Sequence, residues 1–356
     1  MSTKKILSPV ASIIKLFIIL IFFTSISKAE ENNIKYYSDD NGILSLMYHR
    51  FDENKYPSTN IQMDVFKNQI KIIRDYNYKF YDPKNLEKNF HTAKTEKTIL
   101  VTIDDAFSSF YNVAWPYLKE EKIPFILFVS TEAIGKSGYM TWDQINEIEK
   151  ETFVYIGNHS HTHDYLVNFK NTDFINDINT SSKIFEERLG YNPIFFSYPF
   201  GEYSSLIKKY ISKNFKFSFG QHSGVIDVNK DRHELPRFPI NEKYGDLKRF
   251  ESLTKTLPLK YKEIIPEEKY LLGSKNPPNV KIKFYENITD LNLINCYSNE
   301  GGQWGQSKIK FISKNDLEIF IDKKFIGERG RINCSLRDPS GFWRWLGIQF
   351  VISGKN

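Results

Sequence analysis

The sequence lacks a hydrophobic run of the roughly 20 residues that a membrane-spanning helix needs. Its apolar N-terminal stretch, Leu16 to Phe23, is shorter than that and directly follows Lys15. Ser27-Lys28-Ala29 then offers small residues at the two positions that a signal peptidase reads. The pattern predicts a signal peptide over residues 1–29, export to the periplasm or the extracellular space, and no stable membrane span after cleavage. The alternative is an anchor that stays in the membrane.

The chain also carries little net charge outside this segment. The formal charge of +6 comes from 49 basic and 43 acidic residues. Four of the basic residues and none of the acidic ones lie in residues 1–29, which leaves 45 against 43. An excess of about two charges gives no basis for a nucleic-acid partner.

Cysteine is scarce, with only Cys296 and Cys334 in the whole chain. Export makes a disulfide between them plausible. Closing that loop would contribute about 4 kcal/mol on the chain-entropy model. The alternative is two separate buried thiols.

Apolar segments alternate with helical patterns over the first two thirds of the chain. This alternation favours parallel strands, in a sheet that is open or closed into a barrel. Prolines punctuate residues 256–278, which reads as a linker. Short alternating runs beyond it predict a small all-β, sandwich-like domain over 279–356, after an α/β domain over 35–255. The predicted strands of the α/β domain are Ile43–Tyr48, Thr98–Ile103, Phe125–Ser130, Phe153–Gly157, Ile194–Tyr198 and Lys216–Phe219.

Two polar clusters follow predicted strands. Asp104 and Asp105 come after the second strand, and His159, His161 and His163 come after the fourth. One carboxylate and two imidazoles form a ligand set for a divalent metal, and the second carboxylate can serve as a base towards water. Each cluster alone also fits an ordinary polar loop, but their position at strand ends predicts a metal-dependent hydrolase.

The same residues carry a resemblance to a known family. Thr-Ile-Asp-Asp-Ala at 102–106 resembles the Thr-Phe-Asp-Asp motif of the polysaccharide deacetylases, carbohydrate esterase family four (the NodB-homology domain). His-Ser-x-x-His at 159–163 matches their second motif, and Ser-Tyr-Pro-Phe-Gly at 197–201 resembles their third, Arg-x-Pro-Tyr/Phe. The resemblance spans about residues 43–250 and implies a distorted (β/α)7 barrel.

The resemblance also implies roles for single residues. Asp104 would be the catalytic base, and Asp105, His159 and His163 would bind the divalent metal, with Zn²⁺ as the first expectation. The backbone N–H of Phe200 would help to hold the oxyanion. Tyr198, its neighbour in the motif, is assigned with it to substrate binding.

The chain departs from the family pattern in two places. Ser197 stands where the family usually has an arginine that orients the base. Arg237 could supply that charge from another strand, and the alternative is a surface arginine. The usual late Leu-x-x-His motif is absent; in circularly permuted members that resemble poly-N-acetylglucosamine deacetylases, the acid histidine follows an early strand, where His49 stands.

These features together predict a metal-dependent hydrolase that removes N-acetyl groups from a β-linked N-acetylglucosamine polysaccharide or oligosaccharide and releases acetate. Its partner would be a glycan that contains N-acetylglucosamine. Two alternatives remain open: a carbohydrate-binding protein with impaired catalysis on the same fold, and an esterase or amidase that uses the same metal site.

Overall fold

The computed structural model describes residues 41–286, 288 and 290–352. The predicted signal peptide, residues 1–29, lies outside them. Within the described ranges, no helix has the length and apolarity needed to cross a bilayer.

The α-helices of the described residues all precede residue 255. They are α1 (Met63–Asp75), α2 (Lys84–Asn89), α3 (Trp115–Glu120), α4 (Trp142–Glu149), α5 (Asn171–Leu189), α6 (Ser205–Asn214) and α7 (Leu247–Thr254). Thr141 caps α4 in a capping box, in which its side chain and that of Gln144 each accept a bond from the other's backbone N–H.

Residues 41–255, where the described part of the chain begins, contain eleven strands. They are β1 (Ile43–Tyr48), β2 (Arg50–Phe51), β3 (Asn60–Ile61), β4 (Lys79–Phe80), β5 (Thr98–Asp104), β6 (Phe125–Val129), β7 (Val154–Asn158), β8 (Phe195–Ser197), β9 (Phe217–Phe219), β10 (Val225–Ile226) and β11 (Phe238–Pro239). Nine of them form the main sheet in the order β10-β1-β5-β6-β7-β8-β9, with β4 beside β5 and β11 beside β1. The six predicted strands are all present, each within about a residue of its expected bounds.

The strands from β1 through β9 along this order run parallel. Their apolar runs are continuous because both faces of the sheet are covered. Phe125, Leu127 and Val129 of β6 pack in the cluster that contains α1. Ile126 and Phe128, which alternate with them, pack in a second cluster on the other face. The sheet is a curled half-barrel of mixed α/β type, and closure into a (β/α)7 barrel stays a prediction.

Residues 256–352 contribute ten strands to two further sheets. They are β12 (Thr256–Pro258), β13 (Tyr261–Ile265), β14 (Tyr270–Leu271), β15 (Val280–Phe284), β16 (Asn295–Ser298), β17 (Gly305–Gln306), β18 (Lys308–Phe311), β19 (Asp316–Phe320), β20 (Arg329–Arg337) and β21 (Trp343–Ile352). One sheet has six strands, in the order β12-β21-β20-β16-β17 with β14 beside β21, and the other has the order β13-β15-β19-β18.

The segment 256–278 differs from the predicted linker because it supplies three of these strands. β12 and β14 pair with β21, and β13 pairs with β15. Its prolines mark strand ends: β12 finishes at Pro258, and Pro266 follows β13. The described residues all fall within one compact unit, so a separate sandwich-like domain over 279–356 stays a prediction.

The predicted disulfide is present. Cys296 of β16 and Cys334 of β20 face each other in register and are bonded. Both are fully buried. The bond therefore joins two neighbouring strands of the six-stranded sheet.

Candidate active site

Three predicted metal ligands converge at the carboxyl edge of the main sheet. Asp105 follows β5, and His159 and His163 follow β7. Oδ1 of Asp105 lies 3.5 Å from Nε2 of His159 and 3.2 Å from Nε2 of His163. One ligand atom from each residue lies within 4.8 Å of the other two. A carboxylate and two imidazoles at these separations could share one divalent cation.

Two of the three ligand atoms are buried without a hydrogen-bond partner among the described residues: Oδ1 of Asp105 and Nε2 of His159. Buried polar atoms are nearly always paired, so two such atoms side by side fit a cation between them. Nδ1 of His159 lies 2.7 Å from the carbonyl oxygen of Ser197. Donation of Nδ1–H to that carbonyl leaves Nε2 as the free ligand, the arrangement typical of metal-binding histidines.

Burial keeps the His159 imidazole neutral. It lowers the pKa of His159 to about 4, and the nearby Asp104 carboxylate offsets only part of this effect. A neutral imidazole is the form that binds a metal.

Left-handed backbone brings the two adjacent aspartates to one pocket. In an extended strand their side chains would point to opposite faces. Strand β5 ends at Asp104, and Asp105 and Ala106 then take φ values of 75° and 53°. Ser160 and His163 also have positive φ, 68° and 58°. Such residues cost roughly 1–2 kcal/mol each outside glycine, and they concentrate at functional sites.

Helix α5 selects among the three histidines. The Asp177 carboxylate accepts hydrogen bonds from the N–H of His161 at 2.9 Å and from the N–H and hydroxyl of Thr162 at 3.0 and 2.8 Å. Nδ1 of His161 lies 2.8 Å from the Thr131 hydroxyl. The loop therefore directs His159 and His163 to the centre and engages His161 elsewhere.

Asp104 is held by a buried arginine. Nη1 and Nη2 of Arg237 donate to its two carboxylate oxygens at 2.6 and 2.9 Å. Both side chains are fully buried, which contradicts the alternative of a surface arginine. Burial alone would raise the pKa of Asp104, but the charge of Arg237, aided by His159 and His49, lowers it to about 2.

The remaining donors of Arg237 bind the surrounding framework. Nη2 donates to the Ser197 hydroxyl at 2.8 Å, Nη1 to the Thr102 hydroxyl at 3.1 Å, and Nε to the Gly220 carbonyl at 2.9 Å. Strand β11 begins at the next residue and pairs with β1, so it brings the guanidinium under the site. Because the serine at position 197 is small, the Arg237 side chain has space to reach the site beside it.

His49 lies beside Asp104. Tyr48, its neighbour, pairs with Ile103 across β1 and β5, and the half-buried His49 imidazole acts electrostatically on the Asp104 carboxylate. The acid role of His49 stays a prediction.

Phe200 occupies a tight turn beside the metal ligands. Its φ is 58°, and its ring centroid lies 4.7 Å from that of His163 in an edge-on contact. Tyr165 stacks on the Phe200 ring at 4.2 Å. The turn is therefore adjacent to the candidate cation site, as an oxyanion-binding N–H would need.

Tyr198 lies elsewhere, contrary to its assignment to substrate binding. Its side chain is fully buried in the hydrophobic cluster between α5 and α6, and its hydroxyl donates to the His233 carbonyl at 3.2 Å. The residue precedes the turn but points into the core, because successive residues face opposite sides and Ser197 before it faces Arg237.

A protein-family model described as polysaccharide deacetylase matches residues 91–217. The match includes the aspartate pair and both candidate histidine ligands. The chain carries a polysaccharide deacetylase domain. Polysaccharide deacetylases are hydrolases that act on carbon–nitrogen bonds, so the protein is an enzyme of the carbohydrate esterase family four kind.

Individual relatives agree with this family. A poly-beta-1,6-N-acetyl-D-glucosamine N-deacetylase of Staphylococcus aureus is 24% identical over 232 residues, which is 57% of this chain and 80% of the relative. A putative polysaccharide deacetylase, YxkH of Bacillus subtilis, is 25% identical over 199 residues, 55% of this chain and 70% of the relative.

Solved structures share the fold of the deacetylase domain. IcaB from Ammonifex degensii superimposes with a TM-score of 0.53 at 24% identity, over 60% of this chain and 97% of its own. The Streptococcus pyogenes deacetylase PplD gives a TM-score of 0.53 at 22% identity, over 58% and 95%.

No sequence pattern marks Asp177, which holds the loop that carries the three histidines. It lies within α5, where an aspartate reads from the sequence as an ordinary helix residue, although the fold buries it. Only the fold shows that its carboxylate meets the loop 15 to 16 residues earlier.

Proposed function

We propose that the protein is an exported, metal-dependent N-deacetylase that removes acetyl groups from a β-linked N-acetylglucosamine polysaccharide or oligosaccharide. The convergence of Asp105, His159 and His163 beside an ionised Asp104 carries this proposal. The name of the S. aureus relative supports the choice of glycan. The predicted signal peptide and the disulfide support export.

The donor set suits a divalent cation, with Zn²⁺ as the first candidate. Such a cation would polarise the acetyl carbonyl and make water a stronger acid. On the protein side, the two unpaired buried atoms and the oriented His159 ring are already arranged to receive it.

Asp104 is the general base of the proposed reaction. Its low pKa keeps it ionised at neutral pH, so it can accept a proton from the attacking water. The two bonds from Arg237 fix the orientation of the carboxylate. A carboxylate held in this way is a weak base, which is why the water has to be made more acidic for the transfer.

Phe200 and His49 complete the chemistry. The Phe200 N–H donates to the oxygen of the acetyl group as negative charge develops there. Collapse of the tetrahedral species breaks the carbon–nitrogen bond, and the His49 imidazolium donates a proton to the departing amine. The oxygen of the water ends in the acetate and a proton ends on the amine, so the products are acetate and a free glucosamine unit.

The two alternatives differ in their support. Impaired catalysis rested on the missing arginine of the third motif, and the Arg237–Asp104 ion pair provides a replacement for it. An esterase would need the same cation and base, and N-acetyl and O-acetyl substrates distinguish it from the proposed activity.

The test measures acetate release by purified, metal-loaded protein from N-acetylglucosamine oligomers and from poly-β-1,6-N-acetylglucosamine. We expect release by the wild type and none by Asp104→Asn, with O-acetylated glycans hydrolysed more slowly. Metal analysis of the wild type against His159→Ala runs in parallel. A wild type that retains one metal ion per chain and binds the glycan without releasing acetate would contradict the proposal.

A further inference from the structure

The Phe200 turn contacts a strand far away in the sequence. Nε2 of Gln349, in β21, donates to the carbonyl oxygen of Phe200 at 3.3 Å and to that of Gly201 at 3.2 Å. The Gln349 side chain is buried. One amide group therefore holds two consecutive peptide groups of the turn.

A second contact fixes the orientation of this amide. Arg331 of β20 lies opposite Gln349 in the register of the two strands. Its Nε–H donates to Oε1 of Gln349 at 3.2 Å. With Oε1 engaged by a donor, the amide must present its NH₂ group to the turn, since a flipped amide would place an oxygen against two carbonyl oxygens.

The strand approaches the main sheet too closely for the contact to adjust freely. A Cβ atom on Gly347 would lie 2.1 Å from the Ser223 carbonyl oxygen, and one on Gly201 would lie 2.4 Å from the Gln221 nitrogen. Residues 224 and 346 also form a β-bridge. The Phe200 turn is thus enclosed between the segment after β9 and the end of β21.

We propose that Gln349 is a positioning residue for the deacetylase reaction. By holding the peptide groups on the C-terminal side of Phe200, it maintains the left-handed turn and so the direction of the Phe200 N–H. Gln349 lies outside the 91–217 match, so this contact is a property of the C-terminal sheet of this chain. The effect on kcat rests on the proposed function, whereas the role of Gln349 in holding the turn does not.

The consequence concerns turnover rather than substrate binding. A hydrogen bond to the acetyl oxygen strengthens as charge develops in the transition state, so a misdirected N–H lowers kcat more than it raises KM. A structural role alone would lower the yield or the melting temperature without this split.

The experiment compares Gln349→Glu and Gln349→Ala with the wild type in the full chain. Glutamate keeps the size of the side chain and an acceptor for Arg331, but it replaces the NH₂ donor by a carboxylate oxygen. Asn333→Ala is the matched control, because Asn333 lies on the same face of the neighbouring strand, opposite Gly347. Thermal melting monitors folding of each variant.

Two readouts are taken. Hydrogen exchange of the peptide over 198–203 reports the turn directly, since the N–H groups of Gly201 and Glu202 bond to carbonyls within it. We expect both Gln349 variants to exchange about tenfold faster there, the effect of losing one hydrogen bond. On the proposed glycan we expect kcat to fall about tenfold with KM changed less than about twofold, and both values unchanged in the control.

The outcomes separate the two proposals. Unchanged exchange in a folded Gln349→Glu overturns the inference whether or not the protein deacetylates glycans. Faster exchange with an unchanged kcat overturns the positioning role. A wild type that releases no acetate counts against the proposed function, and exchange still decides whether Gln349 holds the turn.

Discussion

Replacing Arg237 by methionine is the most direct test of the site. Methionine fills much of the same volume but removes the guanidinium that binds both oxygens of Asp104. We expect the variant to bind the cation, because the described hydrogen bonds of Arg237 go to Asp104, Thr102, Ser197 and Gly220 and to none of the three metal ligands. We expect it to lose turnover, because the base is no longer oriented.

The magnitude follows from the buried ion pair. Arg237 donates five hydrogen bonds, and its removal leaves a fully buried carboxylate without its charge partner. Breaking such a pair costs roughly 3–5 kcal/mol of folding free energy. The net depression of the pKa of Asp104 from 3.8 to about 2, which combines opposing burial with the charges of Arg237, His159 and His49, corresponds to on the order of 2 kcal/mol.

The pH dependence has a definite sign. In the wild type the folded-state pKa of Asp104 is below the unfolded value, so this stabilisation is complete above about pH 4 and is lost as the pH falls through about 2. Without Arg237, burial dominates and raises the pKa of Asp104. Activity requires the ionised base, so the acid limb of kcat in the variant should move to higher pH.

Urea unfolding of metal-free protein and the pH profile of acetate release measure these effects. Arg344→Met is the matched control, since Arg344 forms a buried ion pair with Asp338 at 2.7 Å in the C-terminal sheet. It should lose comparable stability and keep the pH profile. The exchange Ser197→Arg with Arg237→Ser should restore part of kcat. A wild-type kcat in Arg237→Met, or an equal loss in Arg344→Met, would refute the reasoning.

Three further predictions concern the cation and its supports. His163→Ala should lose most of its bound metal by elemental analysis while His161→Ala retains it, because His161 bonds to Thr131 instead; equal losses would contradict this selection. Asp104→Asn should keep the wild-type metal content but release no acetate in an end-point assay, and parallel loss of both would make Asp104 a ligand rather than the base. Asp177→Asn should weaken metal affinity about 10–100-fold in a competition titration, the usual effect of removing a group that orients ligands, and unchanged affinity would show that the loop holds its shape unaided.

The sequence predicts most accurately those elements whose side chains are stable in only one kind of environment, such as a fully buried strand. Strand β6 reads Phe-Ile-Leu-Phe-Val, and such a run is stable only between two apolar layers. The metal ligands could be predicted from the sequence equally well, because the carboxyl ends of parallel strands meet at one edge of the sheet. Local spacing and one topological rule were sufficient for both.

Other features depend on contacts that no local pattern encodes. Strand β20 has a buried residue at every second position, but its three arginines and one glycine interrupt the apolar–polar alternation by which a strand is predicted from sequence. The place of Tyr198 in a motif predicts a role in the site, although its side chain is buried in the core. The contact of Gln349 with the Phe200 turn spans 149 residues of sequence, and only the folded chain brings the two together.

Arg237 shows that a charge missing from one position of a motif can reach the same carboxylate from another strand. Orientation of Asp104 requires a guanidinium at its two oxygens, and it does not matter to the carboxylate which strand supplies it. The Ser197 hydroxyl lies 2.8 Å from Nη2 of Arg237, so the two side chains share one pocket. A serine at 197 with an arginine at 237 fills about the same volume there as an arginine at 197 with a serine at 237. An arginine at both positions would place two like charges and excess volume in a fully buried pocket. The pocket can therefore take its positive charge from either position, but it has room for only one arginine. For this reason the double exchange should recover activity, and Ser197→Arg alone should lower the stability of the fold.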